Sequence, residues 1–418
     1  MTELSIDLVE YLDKLSMESD VDLLRDSLKM VVQLLMEADV SHQIGAKKYE
    51  RTPERVTQRN GYRDRGWETR VGEVELEIPK LREGSYYPEW LLEPRRPAEK
   101  ALVNVVQEAY IAGVSTRKME EVIGKLGLSG LDKSKVSRMT KALDDEVEAF
   151  QNRPLDKRCA YVWLDALYPK VRQNHRIVSQ AFVIALGVDE TGHRTILGFQ
   201  VGAAETEAFW VEFLRSLVKR GLTGVQLVIS DAHEGLKNAV SKVLNGASWQ
   251  RCRVHFMRNV LAHVSKGDKK LVAAHIRTIF AQPDRGAGCQ QLDKVVGELA
   301  PSWPKAAELL GQAKHDLLAH MSFPKPHWKR LASSNPLERL NREIRRRTKV
   351  VQIFPDEASL IRLAGAILME TNDEWTVGRR YFSEKSMRPL FEPAPPGVDH
   401  RPPAAETKQA DAKVHHGT

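Results

Sequence analysis

The sequence predicts an α/β chain, on three observations. Short apolar runs rich in β-branched and aromatic residues stand between about residues 160 and 230, separated by turn signals. Helix-periodic segments fill most of the chain on either side of them. Two of the apolar runs end on an aspartate, and an acidic residue opens a helix far downstream. With 418 residues, 42% of them hydrophobic, the chain is long enough for about two to four domains. The net charge of +7 favours an anionic partner only weakly, because many protein classes share it. Cys159, Cys252 and Cys289 are too few and too widely spaced for a disulfide framework, which predicts a reducing compartment. The start Met1-Thr2-Glu3-Leu4 is not secretory, and no run is long and apolar enough to span a membrane, so a cytoplasmic location is expected.

Residues 1–100 read as a helical and hairpin region. Apolar residues from Leu23 to Met36 recur at three and four, giving one buried helical face. Asn60-Gly61 signals a turn, and Thr69 to Pro79 alternates as a half-buried hairpin. Arg51, Arg55, Arg59, Arg63, Arg65 and Arg70 crowd this region, either as a solvated surface or as a phosphate-contacting arm. Residues 101–150 are helical again. Val103 to Ala112 closes on Gly113, Ser115 caps a second helix that stops at Gly127, and Lys133, Lys135 and Arg138 mark a third. Helix, break, helix with basic residues on the second predicts a helix-turn-helix-like DNA reader. The gap from Gly127 to Asp132 is long for that motif and leaves a plain helical linker as the alternative.

Residues 151–255 carry the sheet. Ala160 to Asp165, Val178 to Val188 and Thr195 to Val201 are three strands in an antiparallel meander. Thr206 to Arg220 is an amphipathic helix that feeds a fourth strand, Val225 to Ser230, in parallel. Asp231 to Leu244 is the next helix. The order β-β-β-α-β-α is that of a ribonuclease-H-like sheet. Residues 256–325 are helical throughout and read as an insertion, residues 326–390 return to the core as helices, and the Pro-rich stretch 391–418 is expected to be disordered.

Cleaving or joining phosphodiesters with two hard cations needs acidic oxygens around ions ~3.5–4 Å apart. Asp165 ends the first strand, Asp231 ends the fourth, and Glu338 stands early in the helix near Pro336, so these three are the candidate catalytic residues and metal ligands. Taken singly, Asp231 with Glu234, and Asn335 with Glu338, are also capping patterns. Arg339, Arg342, Arg345 and Arg346 follow on the same helix, where they either contact a DNA backbone or form a solvated basic face. Cys252 and His255 make half of a zinc-site spacing with no second pair in reach, so Trp249, Cys252 and His255 read as structural, or as organising the edge of the active site.

Several stretches resemble the bacterial Mutator-type insertion-sequence transposases: Arg59 to Arg63, Thr69 to Leu76, Gly113 to Arg117, Val162 to Ala166, Ser230 to Leu236, Trp249 to Asn259 and Ser334 to Asn341. The resemblance covers about residues 20–390 and is most specific at Trp249-x-x-Cys252-x-x-His255. It implies an Asp-Asp-Glu transposase in which Asp165, Asp231 and Glu338 hold two Mg2+ ions, with Mn2+ able to substitute. It further implies binding of terminal inverted repeats by the N-terminal region, cleavage at the element ends, and strand transfer into target DNA. Pairing two ends leads us to expect a homodimer or higher oligomer, associated with the nucleoid when bound to DNA and with no membrane partner. Rival readings are a cut-only structure-selective nuclease and a non-catalytic DNA-binding regulator of the same fold.

Overall fold

A computed structural model describes residues 20–69, 71–92, 100–115, 118, 119, 121 and 133–392. They fall into two units, Met1–Asp144 and Asp145–Thr418. In the first, α1 (Asp20–Ile44) lays Val32, Met36, Val40 and Ile44 on the hairpin of β1 (Arg59–Thr69) and β2 (Gly72–Leu81). Trp67, Val74, Leu76 and Ile78 complete that core from the inward positions of the strands. Asn60-Gly61 does not turn the chain as expected. It lies inside β1 at a register shift, with Gly61 at φ +75°, so the Asn-Gly signal marks a bulge. Several arginines of this region are drawn into the fold. Arg59 pairs with Glu37 and donates to Ser41 Oγ (2.7 Å), and Arg63 donates to Tyr86 O (3.1 Å). Helices α2 (Lys100–Ile111) and α3 (Lys133–Thr140) share a small core around Val106 and Val136. The segment between the two helices of the expected helix-turn-helix lies outside the described residues, as do Arg70 and residues 393–418.

The second unit begins within α4 (Leu143–Asn152). Its five-stranded sheet uses β3 (Cys159–Leu167), β6 (Ala181–Asp189), β7 (Arg194–Gly202), β8 (Leu227–Ser230) and β9 (Ser248–Arg251), in the order β7-β6-β3-β8-β9. The first three named strands are antiparallel neighbours, whereas β8 runs parallel to β3 and β9 parallel to β8. The expected second strand, Val178 to Val188, is in fact two. A hairpin of β4 (Lys170–Gln173) and β5 (Arg176–Ser179) pairs into a separate small sheet with β10 (Ile353–Phe354), and β6 begins only at Ala181.

Side chains alternate across β3. Val162 and Leu164 face α5 (Glu207–Lys219) and α6 (Glu234–Val243), packing with Trp210, Phe213, Leu214, Leu217, Leu236 and Val240. Thr206 caps α5 by accepting from Phe209 N–H at 3.2 Å. Each large apolar side chain sealed in this layer contributes roughly 1.5–3 kcal/mol. Tyr161 and Trp163 face the other way. Tyr161 Oη meets His327 Nδ1 at 2.8 Å and Trp163 Nε1 donates to Ser333 O at 3.1 Å. Burial pushes His327 down to about 4, so its ring is neutral in this contact.

After β9 the chain is helical: α7 (Arg253–Ala262), α8 (Lys269–Ile279), α9 (Arg285–Leu299) and α10 (Pro304–Gln312) bury Phe256, Val260, Ile276, Leu292, Val295 and Leu310 together. The buried Gln250 amide ties this layer to β9, donating to Leu317 O (3.0 Å) and accepting from His320 N–H (2.8 Å). Helix α11 (Asn335–Thr348) then returns to β3, and α12 (Glu357–Val377) covers β7, where Asn372 Oδ1 accepts from Ile196 N–H at 3.0 Å. Among the described residues, no helix is long and apolar enough to cross a membrane.

Candidate active site

The buried run of β3 comes to the surface at Asp165, which is half-buried. All four residues of β8 are buried, and Asp231 follows directly. The pairing Tyr161↔Leu227, Val162↔Val228 and Trp163↔Ile229 has a constant offset of 66 residues (227 − 161). Carried two residues past its last pair, the same offset (231 − 165) sets Asp231, just beyond the end of β8, level with Asp165 on neighbouring stretches about 4.8 Å apart. Burial and the negative charge of Asp231 push Asp165 up to about 6, against the opposing pull of Ala166 N–H, His255 and Arg345.

Asp165 shares a face of β3 with Trp163, and that face meets α11. Asn341 Nδ2 donates to Asp165 Oδ2 at 2.6 Å, and Ala166 N–H donates to Asp165 Oδ1 at 2.9 Å. Glu338, half-buried, lies three residues before Asn341, about 4.5 Å along the axis on the same helical face. Neither suspected cap is one: His233 caps α6, accepting from Leu236 N–H through Nδ1 (3.2 Å), and Ser334 occupies the N-cap position of α11. Neither the Asp231 nor the Glu338 carboxylate is engaged as a helix cap.

The Trp-Cys-His signature surrounds this point. Trp249 Nε1 donates to Ser230 Oγ at 2.8 Å, and Cys252 N–H donates to Ser230 O at 2.8 Å. The stretch passes from β9 into α7, with Cys252 as the N-cap and His255 in the first turn. His255 Nδ1 contacts Asp231 Oδ1. Hydrogen bonds to Asp231 and then Cys252 raise His255 to about 10, although burial opposes them. Burial pushes the Cys252 thiol up, but hydrogen bonds with His255 and Ser334 outweigh it and hold the group below its usual range. Ser334 donates to Cys252 Sγ from both N (3.3 Å) and Oγ (3.2 Å), which fixes the start of the Glu338 helix beside the Asp231 strand.

The donor set suits hard divalent cations. The charge of Asp231 raises Asp165, and a cation between them relieves that repulsion with the oxygen ligands magnesium prefers, while Glu338 stands on the facing helix without its carboxylate gathered against the two aspartates. Arg339, Arg342 and Arg345 are exposed along α11, with Arg342 and Arg345 on the Glu338 face, while Arg346 is held by Glu343 at 2.6 Å. In the first unit Arg138 is exposed and Lys135 is paired with Glu68 (2.8 Å), while the side chain of Lys133 lies outside the described residues. Sequence reasoning missed the roles of Asn341 and Ser334. A polar residue three positions after Glu338 on an otherwise basic face was the available signal for Asn341.

A family model described as transposase, Mutator family, matches residues 1–378. The chain is 49% identical over 366 residues to the transposase for insertion sequence element IS1081 of Mycobacterium tuberculosis, covering 87% of this chain and 88% of the relative. It is 39% identical over 370 residues to the transposase for insertion sequence element ISRM5 of Rhizobium meliloti (88% and 93%). It is 38% identical over 378 residues to the transposase for insertion sequence element IS256 in transposon Tn4001 of Staphylococcus aureus (90% and 95%). The resemblance drawn from the motifs is borne out, and the chain belongs to the Mutator family of transposases.

Proposed function

We propose that this transposase has a ribonuclease-H-like catalytic fold, binds the terminal inverted repeats of an insertion sequence, cleaves DNA at the element ends and transfers the freed strand into target DNA. The observation that carries the reading is the level pair Asp165 and Asp231, with Asp165 bonded to Asn341 one turn from Glu338. Asp165, Asp231 and Glu338 would hold two magnesium ions, with manganese as a substitute. The ions supply Lewis-acid stabilisation of the attacking and leaving oxygens. Asn341 fixes the Asp165 carboxylate so that its remaining lone pairs face the substrate. Arg342 and Arg345, on the Glu338 face, receive the phosphates flanking the scissile bond. The end hydrolysed first leaves a 3′ hydroxyl, and its oxygen then attacks a target phosphodiester, displacing the target's 3′ oxygen. The N-terminal unit, through Lys133, Lys135 and Arg138, reads the terminal repeats, and two copies of the chain pair the two ends.

The test is a strand-transfer assay with labelled repeat ends in magnesium. Wild type gives a joined donor–target product, which separates the reading from a cut-only nuclease. Glu338→Gln loses joining by at least about a hundredfold, since a metal ligand supports several kcal/mol of transition-state stabilisation. It retains end binding. Joining that survives Glu338→Gln would overturn the assignment.

A further inference from the structure

Asp231, Cys252 and His255 present one ligand atom each, all within 4.8 Å of one another. They arrive from different elements: the end of β8, the N-cap of α7 and the first turn of α7. We infer that these three residues form a binding site for a borderline-soft divalent cation of the zinc class, sharing Asp231 with the proposed magnesium site.

The donor chemistry separates the two sites. Magnesium takes oxygen ligands, whereas thiolate with imidazole and one carboxylate is a zinc-class set. Bonds of 2.0–2.3 Å in tetrahedral geometry put ligand atoms roughly 3.4–3.7 Å apart. The three atoms lie close enough for side-chain rotation to reach that spacing, with His255 and Asp231 moving apart from their direct contact. An independent observation comes from the sulfur. Cys252 Sγ accepts both the N–H and the O–H of Ser334, at 3.3 and 3.2 Å. Two donors aimed at one sulfur support a thiolate and form the outer shell that orients a metal-bound cysteine. The N-terminus of α7 adds its positive end to the same point. Cys252 is fully buried, while the Asp231 side chain is 45% exposed and the His255 side chain 27%, so solvent reaches the site from that side and a water can supply a fourth ligand there. Three protein ligands with one open position is the arrangement of a reactive or exchangeable zinc-class site, not a closed structural one. Because Asp231 serves both sites, zinc and magnesium compete for it, and zinc inhibits strand transfer.

The test uses the full-length protein with cobalt(II) as the probe, read by absorption without DNA. Wild type is expected to develop, saturating at one equivalent, a near-ultraviolet sulfur-to-cobalt charge-transfer band with the intense visible bands of four-coordination. Zinc bleaches both. Cys252→Ala abolishes the charge-transfer band, and Cys289→Ala leaves it intact. His255→Ala weakens binding at least about tenfold, since losing a ligand is no milder than losing its outer-shell support. Circular dichroism checks folding. If Cys252→Ala does not fold, the partly exposed His255→Ala decides alone. No charge-transfer band in wild type, a band that survives Cys252→Ala, or unchanged affinity in His255→Ala overturns the inference. Glu338→Gln keeps the band, so failure of the strand-transfer reading and failure of this one are told apart.

Discussion

Replacing Asp165 by asparagine is expected to stabilise the protein while removing its activity. Burial, and then the level charge of Asp231, raise the Asp165 carboxyl from 3.8 to about 6. A rise of roughly two units is worth about 3 kcal/mol of strain in the ionised native state. The sign follows from the direction. The folded pKa lies above the unfolded one, so no penalty exists below about pH 4, where the group is protonated in both states. The penalty grows as pH climbs through 6 and is constant above it. Asp165→Asn removes the charge, but the introduced amide has only one oxygen for the two donors Asn341 Nδ2 and Ala166 N–H, which loses about 1 kcal/mol. The net gain is therefore about 1–2 kcal/mol at pH 8 without divalent ions. Urea unfolding of both proteins, followed by near-ultraviolet circular dichroism at pH 8 and at pH 4, measures it. The mutant should lead at pH 8 and fall level with or behind wild type at pH 4, and magnesium should stabilise wild type alone. A mutant less stable at pH 8, or an advantage independent of pH, would refute the account of two crowded carboxylates.

Two further outcomes follow from the same framework. Trp163→Phe leaves the buried Ser333 carbonyl without its 3.1 Å donor and loosens the seat of α11, so we expect about 1–3 kcal/mol of destabilisation by urea unfolding and weaker magnesium protection. Gly192→Ala puts a methyl carbon 2.1 Å from Phe382 O at a residue with φ +86°, in the link between β6 and β7. Thermal unfolding should register a loss above about 2 kcal/mol, and the same substitution at Gly246, also at positive φ but with open space around it, a smaller one.

The fold was legible where periodicity is strong. The apolar run before Asp165, the amphipathic helix of Trp210 and Phe213 and the basic helix after Pro336 all stand where their patterns put them. The misreadings occurred at short, polar elements. Asn174 and His175 adopt φ of +48° and +62°, a two-residue hairpin turn, but the strands they join are four residues each and too short for alternation to register. Asn60-Gly61 looks the same in a bulge as in a turn, because both need positive φ. For the site, the constant 66-residue offset between β3 and β8 was already present in the spacing of the aspartates, but only the observed register gives it meaning. The contact of His255 with Asp231 had no local signal, since 24 residues (255 − 231) and a whole strand separate them.

Arg253 N–H donates to Ala332 O at 2.9 Å, so the two ends of the long helical excursion between these residues lie side by side, and Gln250 holds its later part at Leu317 and His320. Closing a chain loop depends only logarithmically on its length, and doubling it adds about 0.6 kcal/mol. Segments grafted into or trimmed from the excursion ahead of Asp316 would thus leave this junction, and the bonds of Asp316, Leu317 and His320 to the sheet unit, in place.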